Sequence, residues 1–237
     1  MGLANIILLA WLRLGLVYEP FFPGTYETHG NKAWVADLQK VAGSSPVVFE
    51  NSYRRASMYA FYSGETSISL NNAHYRKNQY SIDGSESRVR GKRVFYLPNN
   101  PRELEYYYTD ARGKRRYGYF IPRFESFRRL ETGLPGDTGL EGGKRVQMWV
   151  YNPYPEAIPL SKLRFGVAWL DAYKRLLEVR PLQLALPRVQ ALPSRDSLRF
   201  EIVLPAPEKS LPEYARAVIS ENGLYWGLNG PAQPVNP

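Results

Sequence analysis

The sequence predicts an α+β protein: a small α/β unit with a parallel sheet, followed by an immunoglobulin-like antiparallel β-sandwich. Three observations carry this. Helix and strand signals alternate between residues 25 and 97, the pattern of a parallel sheet with covering helices. A glycine-rich stretch, TGLPGDTGLEGGK (132–144), then interrupts the chain. Beyond it, six or seven short strand signals divided by proline turns occupy about ninety residues, the spacing of an antiparallel sandwich. At 237 residues the chain is long enough for two domains with cores of their own. The expected organisation is an apolar segment at 1–19, an α/β domain with a β-hairpin at 25–131, a linker at 132–144 and a sandwich at 145–230.

The elements follow in order. GLANIILLAWLRLGLVY (2–18) is apolar and interrupted only by Arg13. A spanning helix needs roughly 20 apolar residues, so the stretch is short. A signal peptide would place its cations before the run and a small-residue cleavage site after it, and this stretch has neither. Two readings stay open: the close of a membrane helix whose beginning is missing, or a buried helix of a soluble domain. After a Pro20–Gly24 connector, Trp34, Leu38 and Val41 keep helical spacing, and Gly43 ends the segment. PVVFE (46–50) is a buried strand. Ser52 is placed to cap a second helix with Ala56, Tyr59 and Tyr62 on its apolar face, stopped by Gly64. TSISL (66–70) and KRVFYL (92–97) are further strands, and EYYYTDARGKRRYGYFI reads as a hairpin around Asp110–Lys114. In the second half the strand signals are RVQMWVYNP, KLRFGVAWLD, RLLEVRP, SLRFEIVLP, YARAVIS and GLYWGLNG. Leu198, Phe200, Ile202 and Leu204 alternate cleanly, Tyr214 is placed for a tyrosine corner, and SENG (220–223) supplies a hairpin turn.

Composition narrows the function classes. There is no cysteine, so disulfides and thiolate metal sites are excluded, while the compartment stays open. Residues 1–146 hold 21 Lys/Arg against 14 Asp/Glu, and the remainder 10 against 8. The basic front half suits phosphates, nucleic acid or an anionic membrane surface. GDTG contains an Asp-Thr-Gly triplet, but Asp137 lies in the glycine-rich stretch and has no second copy. LEGGKR fails as a phosphate loop: Thr138 stands where a glycine is needed and Arg145 where Ser or Thr would hold magnesium. His29 and His74 are far apart without an acidic cluster. No metal, no cofactor and no self-contained catalytic constellation is expected.

The stretch 50–80 differs. Tyr53, Arg54, Arg55, Tyr59, Tyr62, Tyr75, Arg76, Lys77, Asn78, Gln79 and Tyr80 mix aromatic faces with planar and cationic donors. Rings stack on sugars and guanidiniums clamp phosphate oxygens, so a glycan or lipid-phosphate head group fits. A single-stranded nucleic-acid platform has the same chemistry. Tyr59 and Tyr62 read first as core residues. The loop SLNNAHYRKNQYSI (69–82) follows a strand, where open α/β sheets bind ligands. The candidate substrate contacts are Tyr53, Arg54, Asn71, Tyr75, Arg76, Asn78, Gln79 and Tyr80. The run RGKRR (112–116) reads as a solvated hairpin tip that could also touch anionic lipid.

The segment PVVFENSYRRASMYAFYSGETSISLNNAHYRKNQY (46–80) resembles part of the soluble C-terminal region of bacterial membrane glycosyltransferases. These polyprenyl-phosphate-sugar-dependent enzymes are related to protein mannosyltransferases and lipid A aminoarabinose transferases. The shared elements are a Pro-Val-Val-Phe strand, Asn-Ser-Tyr, an Ala-Ser-x-Tyr-x-Phe-Tyr-Ser-Gly helix end, Ser-Leu-Asn and Tyr-Arg-x-Asn-Gln-Tyr. The match spans about thirty-five residues and weakens elsewhere. It implies that the apolar N-terminus closes a last transmembrane helix and that the soluble part lies on the periplasmic side of the inner membrane. It further implies a transmembrane body carrying the catalytic acidic residue, and a polyprenyl-phosphate sugar or glycan acceptor as ligand. On this expectation the chain adds donor or acceptor contacts to that body, lies against the membrane surface and does not bind nucleic acid. The alternative is a non-catalytic carbohydrate-binding or protein-interaction module of the cell envelope.

Overall fold

Four-residue strands in which every residue is buried occur three times before residue 100, at β1 (Val47–Glu50), β2 (Ser67–Leu70) and β3 (Val94–Leu97). Strands covered on both faces belong in a parallel sheet, and the computed structural model places β1 and β3 inside such a sheet and β2 at its edge. It describes residues 2–18, 29–70, 79–99, 104–136, 138–139, 143–184, 189–208, 211–227 and 229–236. β1 runs parallel to both neighbours, with Val48 opposite Ile68 and Tyr96. A hairpin of β4 (Tyr106–Thr109) and β5 (Arg115–Ile121) joins antiparallel to β3, giving the order β2-β1-β3-β5-β4. The sheet is therefore mixed, parallel in its first three strands and antiparallel beyond.

The helices are α1 (Gly2–Val17), α2 (Asn31–Ala42) and α3 (Tyr53–Ser63). In α2, Trp34, Val35, Leu38 and Ala42 are buried, and Gly43 donates to the Gln39 carbonyl at its end. Val41, expected on the core face, is only half-buried, because Val35 and Ala42 complete the stripe instead. In α3, Ala56 and Tyr59 face the core, whereas Tyr62 is exposed and stacks edge-on with Phe61 at 5.0 Å. The helix ends at Gly64 in the left-handed conformation. Ser52 occupies the N-cap position but makes no side-chain cap, so the expected capping bond is not formed. Core rings interlock: Trp34 lies 6.5 Å from Phe49 and 5.9 Å from Tyr108, and Phe49 6.1 Å from Tyr59.

The chain divides into two compact units, Met1–Leu70 with Gly91–Arg123, and Asn71–Arg90 with Phe124–Pro237. The second is β-rich. One sheet has the order β13-β8-β6, from β6 (Glu131–Gly133), β8 (Arg145–Tyr151) and β13 (Ser197–Val203). The other runs β11-β10-β14-β15-β7, from β7 (Thr138–Gly139), β10 (Arg164–Leu170), β11 (Leu176–Leu182), β14 (Tyr214–Ser220) and β15 (Gln233–Asn236). β9 (Ile158–Pro159) pairs with β12 (Ala191–Leu192). Met148, Val150, Phe200 and Ile202 from the first sheet share one apolar core with Val167, Trp169, Ala217 and Ile219 from the second. Alternation in the sequence locates these inward positions. Most strand signals thus become strands.

Two stretches differ from expectation. Part of the glycine-rich stretch is strand, with the Thr132 hydroxyl donating to the Trp149 carbonyl at 2.6 Å. Gly133 is required there, since a Cβ would lie 2.6 Å from the Trp149 indole nitrogen. The described residues of GLYWGLNG form no regular strand. The Asn222–Gly223 turn that precedes it does form, with positive φ at both residues, as expected for a tight hairpin turn. Thereafter Asn229 replaces ladder bonds with its side chain, accepting from the Ile219 amide (3.2 Å) and donating to the Leu130 carbonyl (2.9 Å). Isolated backbone bonds from the Gly227 amide to the Ile219 carbonyl (2.7 Å) and from the Thr132 amide to the Asn229 carbonyl (3.0 Å) precede the regular pairing of β15.

Segment 79–90 contains α4 (Gln79–Ile82) and a 3₁₀ turn at Ser85–Arg88. Its membership of the second unit is electrostatic. Buried Glu86 accepts hydrogen bonds from the Ser126 hydroxyl (2.8 Å), the Arg128 amide (3.1 Å) and the Tyr154 hydroxyl. Glu221, also buried in this unit, accepts from the Phe127 amide at 2.7 Å and pairs with Arg128 at 3.1 Å. Burial pushes the Glu221 carboxyl up, and Arg128 and the Phe127 amide only partly oppose this. The folded state therefore holds this proton to higher pH than the unfolded chain. Its contribution is fully present below the ordinary glutamate value of 4.5 and is lost as pH rises through the folded value. Glu221→Gln is expected to flatten the fall in stability as pH rises above the ordinary glutamate value of 4.5. Urea unfolding across that range checks this, and unchanged slopes would contradict it.

Candidate functional site

The start of α2, the first half of α3 and the β4–β5 hairpin surround a cleft. The hairpin is held open by its own turn. Asp110 accepts from the Arg112 and Lys114 amides (both 3.0 Å) and from the Arg116 Nε (2.7 Å). Partial burial works to raise this carboxyl, but the bonds from Arg116, Lys114 and Arg112 outweigh it and hold Asp110 below its usual range. Asp37 of α2 accepts the Thr109 amide at 2.7 Å. Gly30, at φ 69°, lets the hairpin tip approach closely: a Cβ there would meet the Ala111 Cβ at 2.7 Å. Local sequence thus fixes the cleft wall.

The cavity measures about 110 Å³ and is lined by Arg54, Arg55, Arg112, Arg116, Tyr108 and Asp110, with Asn31, Trp34, Met58 and Ala111. Four guanidiniums face one carboxylate, which Arg116 already engages. Tyr108 is 2% exposed. Burial raises its hydroxyl to about 12, with Arg55 and Arg116 pulling the other way. It stays protonated at neutral pH and acts as a donor. Arg55 is half-buried, and among the described residues neither its guanidinium nor the Tyr108 hydroxyl forms a hydrogen bond. Arg55, Tyr108 and Arg116 also line an adjoining recess with Glu50, Ser52 and Asn99. There Glu50 is occupied, accepting from the Tyr96 hydroxyl (3.2 Å) and the Asn99 amide (3.0 Å). Asn51 completes the bend after β1 at φ 49°, a conformation asparagine tolerates better than most residues. The arrangement offers positive charge and hydrogen-bond donors, suited to holding an anion.

Of the candidate contacts read from sequence, Arg54 lines this cleft and Tyr53 stands exposed at the start of the same helix. Gln79 is exposed and Tyr80 half-buried, both in α4 of the second unit. Asn71, Tyr75, Arg76 and Asn78 lie outside the described residues. Arg55, Tyr108, Arg112 and Arg116 were not among the substrate contacts expected from sequence. Their signal was the RGKRR run together with a basic, acid-free first turn in α3. The second unit has an apolar recess of about 900 Å³ lined by Leu160, Leu163, Phe165, Leu182, Leu184 and Val189 among others. Residues 185–188, between Leu184 and Val189 in sequence, lie outside the described residues. No protein-family model matches the chain, and no curated protein matches it.

Proposed function

We propose that this chain is an extracytoplasmic accessory domain of a membrane glycosyltransferase that uses a polyprenyl-phosphate sugar. In this reading it contributes donor or acceptor contacts, and the catalytic acid or base belongs to a membrane body. The observation that carries the proposal is α1. Leu3, Ile6, Ile7, Leu8, Leu9 and Leu14 are all more than half exposed on its surface. Each such side chain left in water forgoes roughly 1.5–3 kcal/mol of burial, and a helix apolar all round calls for lipid or protein around it. Its sixteen residues measure about 24 Å. Among the described residues no helix is long and apolar enough to cross a membrane, so the proposal places α1 at the margin of a bilayer.

The resembling segment 46–80 supports the parentage, because its described part builds β1, α3 and β2 beside the cationic cleft. Arg54 and Tyr53 are assigned to ligand contact there, while Asn71, Tyr75, Arg76, Asn78, Gln79 and Tyr80 are kept as a further contact surface. The second unit is proposed as an immunoglobulin-like module. Support comes from the orders β13-β8-β6 and β11-β10-β14-β15-β7, the parallel β15–β7 pairing, and buried Trp169 on β10. The test is whether vesicles bearing a polyprenyl-phosphate sugar bind the chain in preference to vesicles of equal charge without it.

A further inference from the structure

We propose that the cleft of Arg54, Arg55, Arg112 and Arg116 around Tyr108 is a phosphate-binding site. The inference goes beyond the transferase reading and stands without it, because it rests on three features of the first unit alone. The first is donor supply. A tetrahedral phosphate presents several acceptor oxygens, and guanidinium forks pair with them bidentately. Arg55 and the Tyr108 hydroxyl are both unbonded among the described residues and line the same cavity. The Tyr108 side chain is 2% exposed and lines the cavity, so its hydroxyl is a fixed donor that an oxyanion could engage.

The second feature is the placement of positive charge. The N-terminal end of a helix carries partial positive charge and favours acidic residues in its first turn. α3 has none there; it has Arg54 and Arg55, and Ser52 leaves the first-turn amides without a side-chain cap. Charges arranged against the helix dipole weaken the free protein and become favourable once an anion sits between them. The third is rigidity. Asp110 and Asp37 fix the hairpin before any ligand arrives, so little ordering entropy remains to be lost on binding. The carboxylate nearest the site, Asp110, is neutralised by Arg116 and two amides, so it does not repel an incoming anion strongly. The volume of about 110 Å³ admits a phosphate group while a whole sugar would extend beyond it.

The experiment titrates the full chain, held in neutral detergent micelles, with inorganic phosphate at physiological ionic strength, followed by calorimetry and amide NMR. Saturable binding with shifts at Arg55, Tyr108 and Arg116 is expected. Arg55→Gln is expected to weaken binding at least about tenfold. Tyr108→Phe, which keeps the ring and removes only the hydroxyl, is expected to weaken it several-fold. Arg199→Gln, an exposed arginine of the second unit, is expected to leave it unchanged. A second arm replaces phosphate by water-soluble geranyl phosphate. Equal affinity assigns recognition to free phosphate, and tighter binding assigns it to a lipid-borne phosphate. Absence of saturable binding in both arms, or equal weakening by Arg199→Gln and Arg55→Gln, overturns the proposal. Phosphate binding without preference for polyprenyl-phosphate sugar would overturn only the transferase reading.

Discussion

Glu86→Ala is expected to destabilise the second unit by about 3–5 kcal/mol, the cost of removing one partner from a buried charged network. Glu86 is 4% exposed and collects the Ser126 hydroxyl, the Arg128 amide, the Tyr154 hydroxyl and the Arg90 guanidinium. Arg129 approaches the same carboxylate at 3.8 Å. Burial and the Glu86 charge together push the Tyr154 hydroxyl well above its ordinary value, so it remains a donor throughout the accessible range. Alanine leaves these donors in a site that water reaches poorly, and each unpaired one costs about 1–3 kcal/mol. The remaining contacts do not compensate. Arg90 keeps Glu156 and its stacking over Phe127 (4.5 Å), and Arg129 keeps its position over Tyr154 (4.5 Å), but stacking supplies no acceptor. Glu86→Gln retains an acceptor oxygen and is expected to cost less than half as much. Urea unfolding with tryptophan fluorescence measures both. A loss below about 1 kcal/mol in the alanine variant would show that the network does not hold segment 79–90.

Leu9→Arg is expected to lower partition of the chain into lipid vesicles roughly a hundredfold. Leu9 lies midway along α1 and is 61% exposed. At the bilayer margin the burial of the leucine, about 1.5–3 kcal/mol, is lost, and a cation on that apolar face adds a further desolvation cost. Arg13 already sits toward the C-terminal end, where a long side chain reaches the interface at lower cost. The substitution should leave the fold unchanged, since Leu9 is exposed and the Gly15 carbonyl keeps its bond to buried His29 at 2.8 Å. Flotation of wild type and variant with zwitterionic vesicles reads the ratio. Equal flotation of the two would show that α1 is covered by protein instead.

Periodicity made the strands and helices legible. Leu198, Phe200, Ile202 and Leu204 announced an inward face, and Gly43 and Gly64 marked helix ends that the structure retains. What periodicity does not encode is which distant polar groups meet. Glu86 lies in Gly-Ser-Glu-Ser, without an apolar rhythm, and its partners are about forty to seventy residues away. That is why 79–90 reads as part of the first domain but is bonded into the second unit. The cleft was hidden for a related reason. Arg54 read as a ligand contact and Arg112–Arg116 as a separate solvated hairpin tip, and only the pairing of β5 with β3 brings the hairpin beside α3. The described residues of GLYWGLNG do not form the expected strand, and there the Asn229 side chain bonds the Ile219 amide and the Leu130 carbonyl.

The central claim is that this chain serves a membrane enzyme acting on a lipid-linked sugar phosphate. It is tested most directly by co-sedimentation with two vesicle sets matched in charge, one carrying a polyprenyl-phosphate hexose and the other phosphatidylglycerol. The account predicts tighter binding to the first set, a preference that persists in Leu9→Arg at lower overall affinity and disappears in Arg55→Gln. Equal binding to both sets, with α1 as the sole determinant, would contradict it.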